Sequence, residues 1–376
     1  MTRIAHLTSV HSRYDTRIFL KECRSLARAG YEVLLVVADG LGNENRDGVQ
    51  IFDVGVSGGR VNRMVRTTRR VREAARALDA DLFHLHDPEL IPAGLQLRRM
   101  GKRVVFDAHE DVPLQILGKH YLAPTVRRFV SRTFAIFERW ACRRFDAIVA
   151  ATPAICDKFS TIHGNVVNIS NFPLPGELET DAALSGSRRD VCYIGGISEM
   201  RGIRAIVSAM GMVKSQARLK LCGVFAEAKV SAEVRREGGW MRVDELGFLD
   251  RAGVRDVLSS CFAGLVTLRA SPNFVDSLPI KMFEYMSAGV PVVASDFPLW
   301  RDIVLKSECG ICVDPDSPEQ IARAIDLLAS APALVREMGD KGRTAVRDHY
   351  NWSIEERKLL ELYDSLLAHE PLACVS

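Results

Sequence analysis

No stretch of this chain approaches the ~18 consecutive apolar residues that a membrane-crossing helix needs. The N-terminus runs straight into a strand-like segment, without a charged-then-apolar leader. Together these absences predict a cytoplasmic protein. Residues 4–17 hold no glycine, so the Gly-rich turn of a dinucleotide-binding domain is missing where it would follow the first strand. The nine cysteines are scattered and mostly sit in apolar runs, as reduced core residues do. The one C-x-x-C, Cys309-Gly-Ile-Cys312, has no second pair at zinc-finger spacing and no thioredoxin context, and reads as a turn entering a strand. No metal-ligand spacing stands out, so no metal and no organic cofactor is expected. The basic segments come without an aromatic-lined RNA motif or a helix-turn-helix pattern, which disfavours nucleic acid as a partner.

What is present is an ordinary globular composition, 47% hydrophobic and 26% charged, over 376 residues. That length exceeds what one core usually supports, so two domains are expected. Strand-like runs alternate with helical ones in both halves, which predicts parallel, doubly wound sheets. A polar stretch with Pro, Gly and Ser at 173–190 marks the linker. The expected division is an N-terminal domain over 1–172, a second over 191–352, and a terminal segment, 353–376, that opens with an amphipathic helix.

Charge is uneven although the net is only +3; residues 60–144 hold 18 Lys and Arg against 9 Asp and Glu. Two amphipathic helices account for much of it. In 60–78 the apolar set Val61, Met64, Val65, Thr68, Val71, Ala75 and Leu78 leaves seven arginines elsewhere. In 125–145 Phe129, Val130, Phe134, Phe137, Trp140 and Phe145 lie beside six arginines. Both apolar faces are expected to pack on the sheet, with the arginines turned toward an anionic partner such as a membrane surface.

Ligands of doubly wound sheets bind beyond the carboxyl ends of the strands. Three such ends are unusually polar: His11 to Arg17 with Arg13 and Asp15, the run His84-Leu-His86-Asp87-Pro-Glu, and Asp107-Ala-His109-Glu110-Asp111. Each alone reads as a capped loop, with Asp87 and Asp111 as helix caps; their convergence on one sheet edge raises the odds of a site. In the second half, Gly195-Gly196 followed by Arg201-Gly202 and an apolar-periodic helix forms a strand–loop–helix phosphate cradle.

The most informative stretch is 272–297. Pro279 fits the first helical position, Asp276 or Ser277 can cap the free amides, Gly289 fits the left-handed residue that ends the helix, and Val290 to Ala294 fits a buried strand. The helix start at Leu278, Pro279 and Ile280 offers open amides to an anion, and Lys281 adds a cation in the first turn. Asp276 and Glu284, eight residues apart, could bracket a polyhydroxyl ligand; the plainer alternative makes Asp276 a cap and Glu284 a solvated residue.

Asp276-x7-Glu284 with the following Tyr-Met-Ser-Ala-Gly-Val-Pro-Val-Val-Ala-Ser resembles the Glu-x7-Glu signature of family 4 retaining glycosyltransferases of the GT-B fold, of the bacterial surface-polysaccharide type. The loops His-x-Arg-x-Asp-x-Arg-Ile-Phe, His-x-His-Asp-Pro-Glu and Asp-x-His-Glu are similar to members of that family. The resemblance implies an α/β chain of two Rossmann-like doubly wound domains facing a central cleft, with the last helix crossing back to the N-terminal domain. It assigns Glu284 to the nucleotide ribose, Asp276 to donor-sugar hydroxyls and His109 to the sugar and its phosphate. Arg201, Lys281, Gly195 and Gly196 fall to the diphosphate, with Lys281 standing in for the arginine that family members carry where this chain has Gly196. Arg13 and Arg17 would meet the diphosphate or an anionic acceptor.

The expected activity is retaining transfer of a sugar from a nucleotide diphosphate donor to a hydroxyl. A lipid-linked glycan at the inner membrane face is the expected acceptor, in exopolysaccharide, capsule or O-antigen synthesis. Alternatives are a nucleotide-sugar epimerase of the same fold and a non-catalytic nucleotide-sugar-binding scaffold.

Overall fold

A computed structural model describes residues 2–56, 59, 63–118, 123–179 and 188–368. The first residues of the basic helix expected over 60–78, part of the linker and Cys374 lie outside them. The chain divides into two units, residues 1–171 with 353–376, and residues 172–352.

The first unit is an eight-stranded sheet: β1 (Arg3–Leu7), β2 (Glu32–Val37), β3 (Glu44–Arg46), β4 (Val49–Asp53), β5 (Leu82–Leu85), β6 (Arg103–Ala108), β7 (Ala147–Ala150) and β8 (Val166–Asn168). Their spatial order is β3-β4-β2-β1-β5-β6-β7-β8. Every neighbouring pair is parallel except β3 with β4, and β3 was not foreseen. Buried runs such as Val33 to Val37 and Ala147 to Ala150 lack the polar alternation of a one-sided sheet, as strands covered on both faces do. The strand order reverses between β1 and β5, so the loops leaving these strands diverge and open a crevice.

The helix after the first loop departs from a plain α-helix. Ile18–Cys23 is π-helical and passes into the α-helix Arg24–Arg28. The wider turn buries Ile18, Phe19, Lys21, Glu22 and Cys23 together. The terminal helix Trp352–Ala368 enters the first unit at Ser353. There Glu355 accepts the Ser170 N–H at 2.8 Å, and Tyr363 is fully buried.

The second unit is a six-stranded, all-parallel sheet of β9 (Asp190–Ile194), β10 (Leu219–Cys222), β11 (Val243–Gly247), β12 (Cys261–Val266), β13 (Val292–Ser295) and β14 (Gly310–Val313). The order is β11-β10-β9-β12-β13-β14, which puts the reversal between β9 and β12. One core of Val, Ile and Leu lies under helices Ile203–Met212 and Pro318–Ser330. A second core, with Phe283, Tyr285, Trp300 and Phe172, surrounds helix Ile280–Ser287.

One expectation about packing holds only in part. Helix Pro124–Cys142 buries Ser131, Glu138, Ala141 and Cys142. Of the apolar set expected to pack, Phe145 is buried and Phe134 and Phe137 lie against the core, whereas Phe129 is 72% exposed, Val130 40% and Trp140 43%. The helix is apolar on more than one side, and Ala141, Cys142 and these three phenylalanines fill the space over the sheet. In the shorter basic helix Val71 and Ala75 are buried as expected, but Val65 is exposed.

Candidate active site

In the first unit β1 and β5 pair with His6 opposite His84. Side chains alternate along a strand, so His84 and His86 share the face that carries His6. The π-turn brings Glu22 onto the same face, β6 brings Asp107, and the terminal helix brings Tyr363. The result is a buried polar layer. His6 Nδ1 lies 2.8 Å from His86 Nε2, and the Tyr363 hydroxyl lies 2.6 Å from His84 Nδ1. Arg17 donates from Nε and Nη2 to both oxygens of Asp107 at 2.9 Å and from Nη1 to the Ile169 carbonyl at 2.8 Å; its Nε also lies 3.0 Å from Glu22 Oε1.

Burial sets the electrostatics of this layer. It pushes the Glu22 carboxyl well above its ordinary range and holds His6 and His84 well below theirs. His86 is likewise lowered by burial, to about 4, against the opposite pull of Asp107. Burial alone would raise Asp107; the Arg17 guanidinium and His109 outweigh it and keep the carboxyl well below the usual range.

His109 is the member of this group that reaches the rim, with its side chain 21% exposed. Its Nε2 lies 3.0 Å from Asp107 Oδ2 and 3.3 Å from His86 Nδ1, so the ring is held from inside the layer. Asp87 is not the helix cap that its place before Pro88 suggests. Its carboxylate accepts from Thr8 Oγ1 at 2.8 Å and Ser9 N at 2.6 Å, tying the β1 and β5 loops together, with His11 Nε2 at 3.5 Å. Asp111 does cap its helix, accepting from Leu114 N at 3.1 Å. Glu110 is exposed and bonded to Gln115.

Three of the residues expected to meet a ligand in these loops are turned inward. Arg13 is buried, paired bidentately with Asp39 at 2.7 and 2.8 Å and with Glu44 at 3.0 Å. Arg17 is neutralised by Asp107, with Glu22 also against its Nε, and His86 is enclosed. Carboxylates from the neighbouring strands and turns outcompete any external anion for the two guanidiniums. Asp15 serves the backbone, accepting from Arg17 N and Ile18 N, while His11 Nδ1 lies 3.1 Å from its other oxygen.

The same layer corrects the expectation that no ligand cluster exists. His6, Glu22, His84 and His86 form one group with donor atoms within 4.8 Å of one another, and His86, Asp107 and His109 another. Linear spacing hides both, because parallel pairing assembles them. Arg17 already supplies the positive charge that Asp107 requires, and the imidazole of His86 lies within hydrogen-bond reach of those of His6 and His109.

In the second unit the loop after β9 carries Gly195 with φ 119°, a conformation glycine adopts freely. Gly202, at φ 81°, starts helix Ile203–Met212 so close to β12 that a Cβ there would lie 2.0 Å from the Thr267 carbonyl oxygen. These two glycines bring Arg201 over the loop, where its Nη1 is 3.5 Å from the Gly196 carbonyl.

Lys281 converges on the same spot. Its Nζ sits 3.7 Å from the Tyr193 ring centroid, and a Cβ on Gly195 would be 3.3 Å from it. The side chain is buried and its amine has no hydrogen-bond partner among the described residues. Burial, then the Arg201 guanidinium, hold its pKa well below the ordinary lysine value. An arginine and a buried lysine without a hydrogen-bonded counter-charge thus meet at one glycine turn, an arrangement that an anion would complete.

The helix begins at Ile280, one residue later than expected, with Pro279 as its N-cap at ψ 119°. Neither Asp276 nor Ser277 caps it: the Ser277 hydroxyl donates to the Phe274 carbonyl at 2.9 Å, and Asp276 is exposed. The loop is held instead by Trp300, whose Nε1 donates to the Ser277 carbonyl at 2.7 Å. Leu278 packs against the core beneath. Glu284 is buried, not solvated, and accepts from Arg251 Nη1 at 2.7 Å. Arg251 also donates to both oxygens of Glu177, at 2.7 and 2.8 Å. Sequence reasoning missed Arg251, Glu177, Trp300 and Tyr193, and nothing in their local spacing marks them.

Residues 16–172 match the glycosyl transferase 4-like domain and residues 177–345 the glycosyl transferases group 1 domain. The chain is 24% identical over 206 residues to the alpha-maltose-1-phosphate synthase of Mycobacterium tuberculosis. That match covers 51% of this chain and spans only about half, 52%, of the relative. It is 23% identical over 297 residues to the phosphatidyl-myo-inositol mannosyltransferase of Mycobacterium leprae, covering 77% of this chain and 74% of that protein. Among solved structures, Anabaena HepE in complex with UDP-glucose superposes with a TM-score of 0.74 at 16% identity, over 97% of this chain and 100% of that one. The fold is therefore GT-B.

Proposed function

We propose, for a chain that belongs to the family 4 glycosyltransferases built from a glycosyl transferase 4-like domain and a group 1 domain, transfer of a sugar from a nucleotide diphosphate donor to an acceptor hydroxyl. The observation that carries this reading is the buried, unpartnered Lys281 ammonium beside Arg201 at the Gly195-Gly196 turn. A diphosphate supplies the negative charge that this pair lacks. As the donor bond breaks, charge grows on the leaving phosphate, and fixed cations in a low-dielectric turn stabilise it without reorganisation.

In this reading Glu284, held by Arg251, accepts hydrogen bonds from the ribose hydroxyls, and the exposed Asp276 contacts the donor sugar. His109, oriented by Asp107, takes the sugar-and-phosphate role that the family resemblance gives it. The anomeric configuration is retained, and no resident metal or organic cofactor enters the reaction. The relatives named above include a protein titled for mannosyl transfer to a phosphatidyl-inositol. With the arginine-rich surface of the first unit, this supports a lipid-linked acceptor at an anionic membrane face, and a cytoplasmic enzyme peripheral to it.

The test is binding of UDP-, GDP- and other nucleotide sugars by thermal shift and calorimetry, followed by product analysis with and without lipid-linked acceptors. One donor bound and turned over only with acceptor supports transfer. A converted donor without acceptor indicates an epimerase, and no binding across the panel overturns the reading.

A further inference from the structure

Helix Pro124–Cys142 carries two apolar stripes, and only one of them is used by the fold. At 3.6 residues per turn, Val126, Phe129, Val130, Thr133, Ile136 and Trp140 fall within a wedge of about 120°. All six are exposed. The inward side holds Ser131, Phe134, Glu138, Ala141 and Cys142, with Phe137 at the boundary, against the core and stacked on Trp140. Ser131 Oγ donates to the Pro113 carbonyl at 2.8 Å, and Glu138 pairs with Lys158 at 2.7 Å, which fixes the rotation of the helix. The outward stripe therefore cannot turn in to the core.

A row of cations borders this stripe. Arg128, Arg132, Arg139 and Arg143 occupy a wedge of about 60° next to it, and all four are exposed. The guanidinium of Arg144 lies 4.2 Å from the Trp140 ring centroid. Glu138 is the only acidic residue between 124 and 144, and it is buried and paired. Nothing of negative charge on the helix offsets the arginines.

We infer that this helix lies in the interfacial plane of an anionic bilayer, with Phe129, Ile136 and Trp140 inserted among the acyl chains and the arginine row on the lipid phosphates. It deepens the membrane contact proposed above and rests on that reading for the choice of partner. Bulky apolar residues beside a row of arginines on one surface helix are the pattern of an in-plane amphipathic helix. Arginine suits the flank, because its planar fork pairs with phosphate while its stem stays against apolar surface. A second copy of the same face would bring the two arginine rows together, so charge argues against self-association through it.

The experiment uses the full-length protein and extruded vesicles of pure phosphatidylcholine or of phosphatidylcholine with 30% phosphatidylglycerol, the fraction chosen as roughly that of an anionic leaflet. Sedimentation with the anionic vesicles is expected, at least tenfold stronger than with neutral ones. Phe129→Gln with Ile136→Gln, which leaves every charge in place, is expected to weaken it at least tenfold at unchanged thermal stability. Acyl-chain-brominated lipids are expected to quench Trp140 in a variant whose other three tryptophans are phenylalanine. If that variant fails to fold, quenching lost from the wild type on Trp140→Phe reads the same contact.

Undiminished sedimentation of the double Gln variant, or no binding by the wild type, overturns the inference. So does a dimer in gel filtration that the same substitutions dissolve. Nucleotide-sugar binding is measured in parallel: vesicle binding without donor binding sinks the transfer reading alone, and the converse sinks only this one.

Discussion

Arg251 Nη1 donates to Glu284 Oε1 at 2.7 Å while its Nε and Nη2 are taken by the two oxygens of Glu177. A buried carboxylate is thus fixed in place by a guanidinium whose other donors are already taken.

Glu284→Ala is expected to lower donor affinity by roughly ten- to a hundredfold, the worth of a hydrogen bond to a charged group at about 1.5–3 kcal/mol. Arg251→Ala should fall in the same direction through loss of positioning, and Arg251→Lys should recover part of it. Calorimetry with the bound nucleotide sugar checks both; an unaltered Kd for Glu284→Ala removes its ribose role.

Lys281 gives a proton signature. Burial and Arg201 depress its pKa in the ligand-free fold, so the unfolded chain binds more protons between that depressed value and the ordinary ~10.4. Stability of the free protein should rise with pH across that window. A bound diphosphate raises the lysine pKa again, so binding at pH 8 should take up protons. Calorimetric heats would then differ between Tris and HEPES, and the difference should vanish in Lys281→Met. Equal heats in both buffers would contradict a lysine–diphosphate contact.

The histidine layer predicts acid sensitivity. His86 titrates near 4 in the fold against ~6.5 when unfolded, and His6 and His84 are lowered as well. The unfolded state binds the extra protons, so this stability is present above about pH 6.5 and is lost as pH falls toward 4. For His86 alone the loss is roughly 3 kcal/mol by pH 4 and about 2 kcal/mol by pH 5. Glu22, raised by burial, acts the other way and adds stability as pH falls. Denaturant unfolding at pH 7.5 and 5 of the wild type and of Glu22→Gln separates the two, and a flat profile in the variant would contradict the histidine contribution.

Tyr363→Phe removes the hydroxyl 2.6 Å from His84 Nδ1 and leaves that buried nitrogen unsatisfied. A loss of about 1–3 kcal/mol is expected. Protection of the terminal helix in hydrogen exchange should drop with it; unchanged protection would show that apolar burial alone docks the helix.

The alternation of strands and helices, the positive-φ glycines at 195, 202 and 289, and the helix start beside Lys281 were all legible in the chain. Each depends on local backbone chemistry: positive φ, a helix that must stop, an apolar run covered on both faces. The roles proposed for Glu284 and His109 come from resemblance, since spacing alone left Glu284 equally well a solvated residue; the structure shows it buried.

Contacts across the fold decided the rest. Whether Arg13 and Arg17 meet a ligand depends on Asp39 and Asp107, residues 26 and 90 positions away, that parallel pairing brings alongside. Helical periodicity says that 124–142 is amphipathic, but not which of two apolar stripes faces inward. That choice belongs to the neighbours: Ser131 bonds the Pro113 carbonyl and Glu138 pairs with Lys158, so the stripe with Phe129 and Trp140 is left to solvent. The sequence by itself determined the layers and the turns, because these follow from local sterics and burial pattern. Tertiary structure alone decided which charges are neutralised and which apolar face stays open, because both are set by what lies opposite in space.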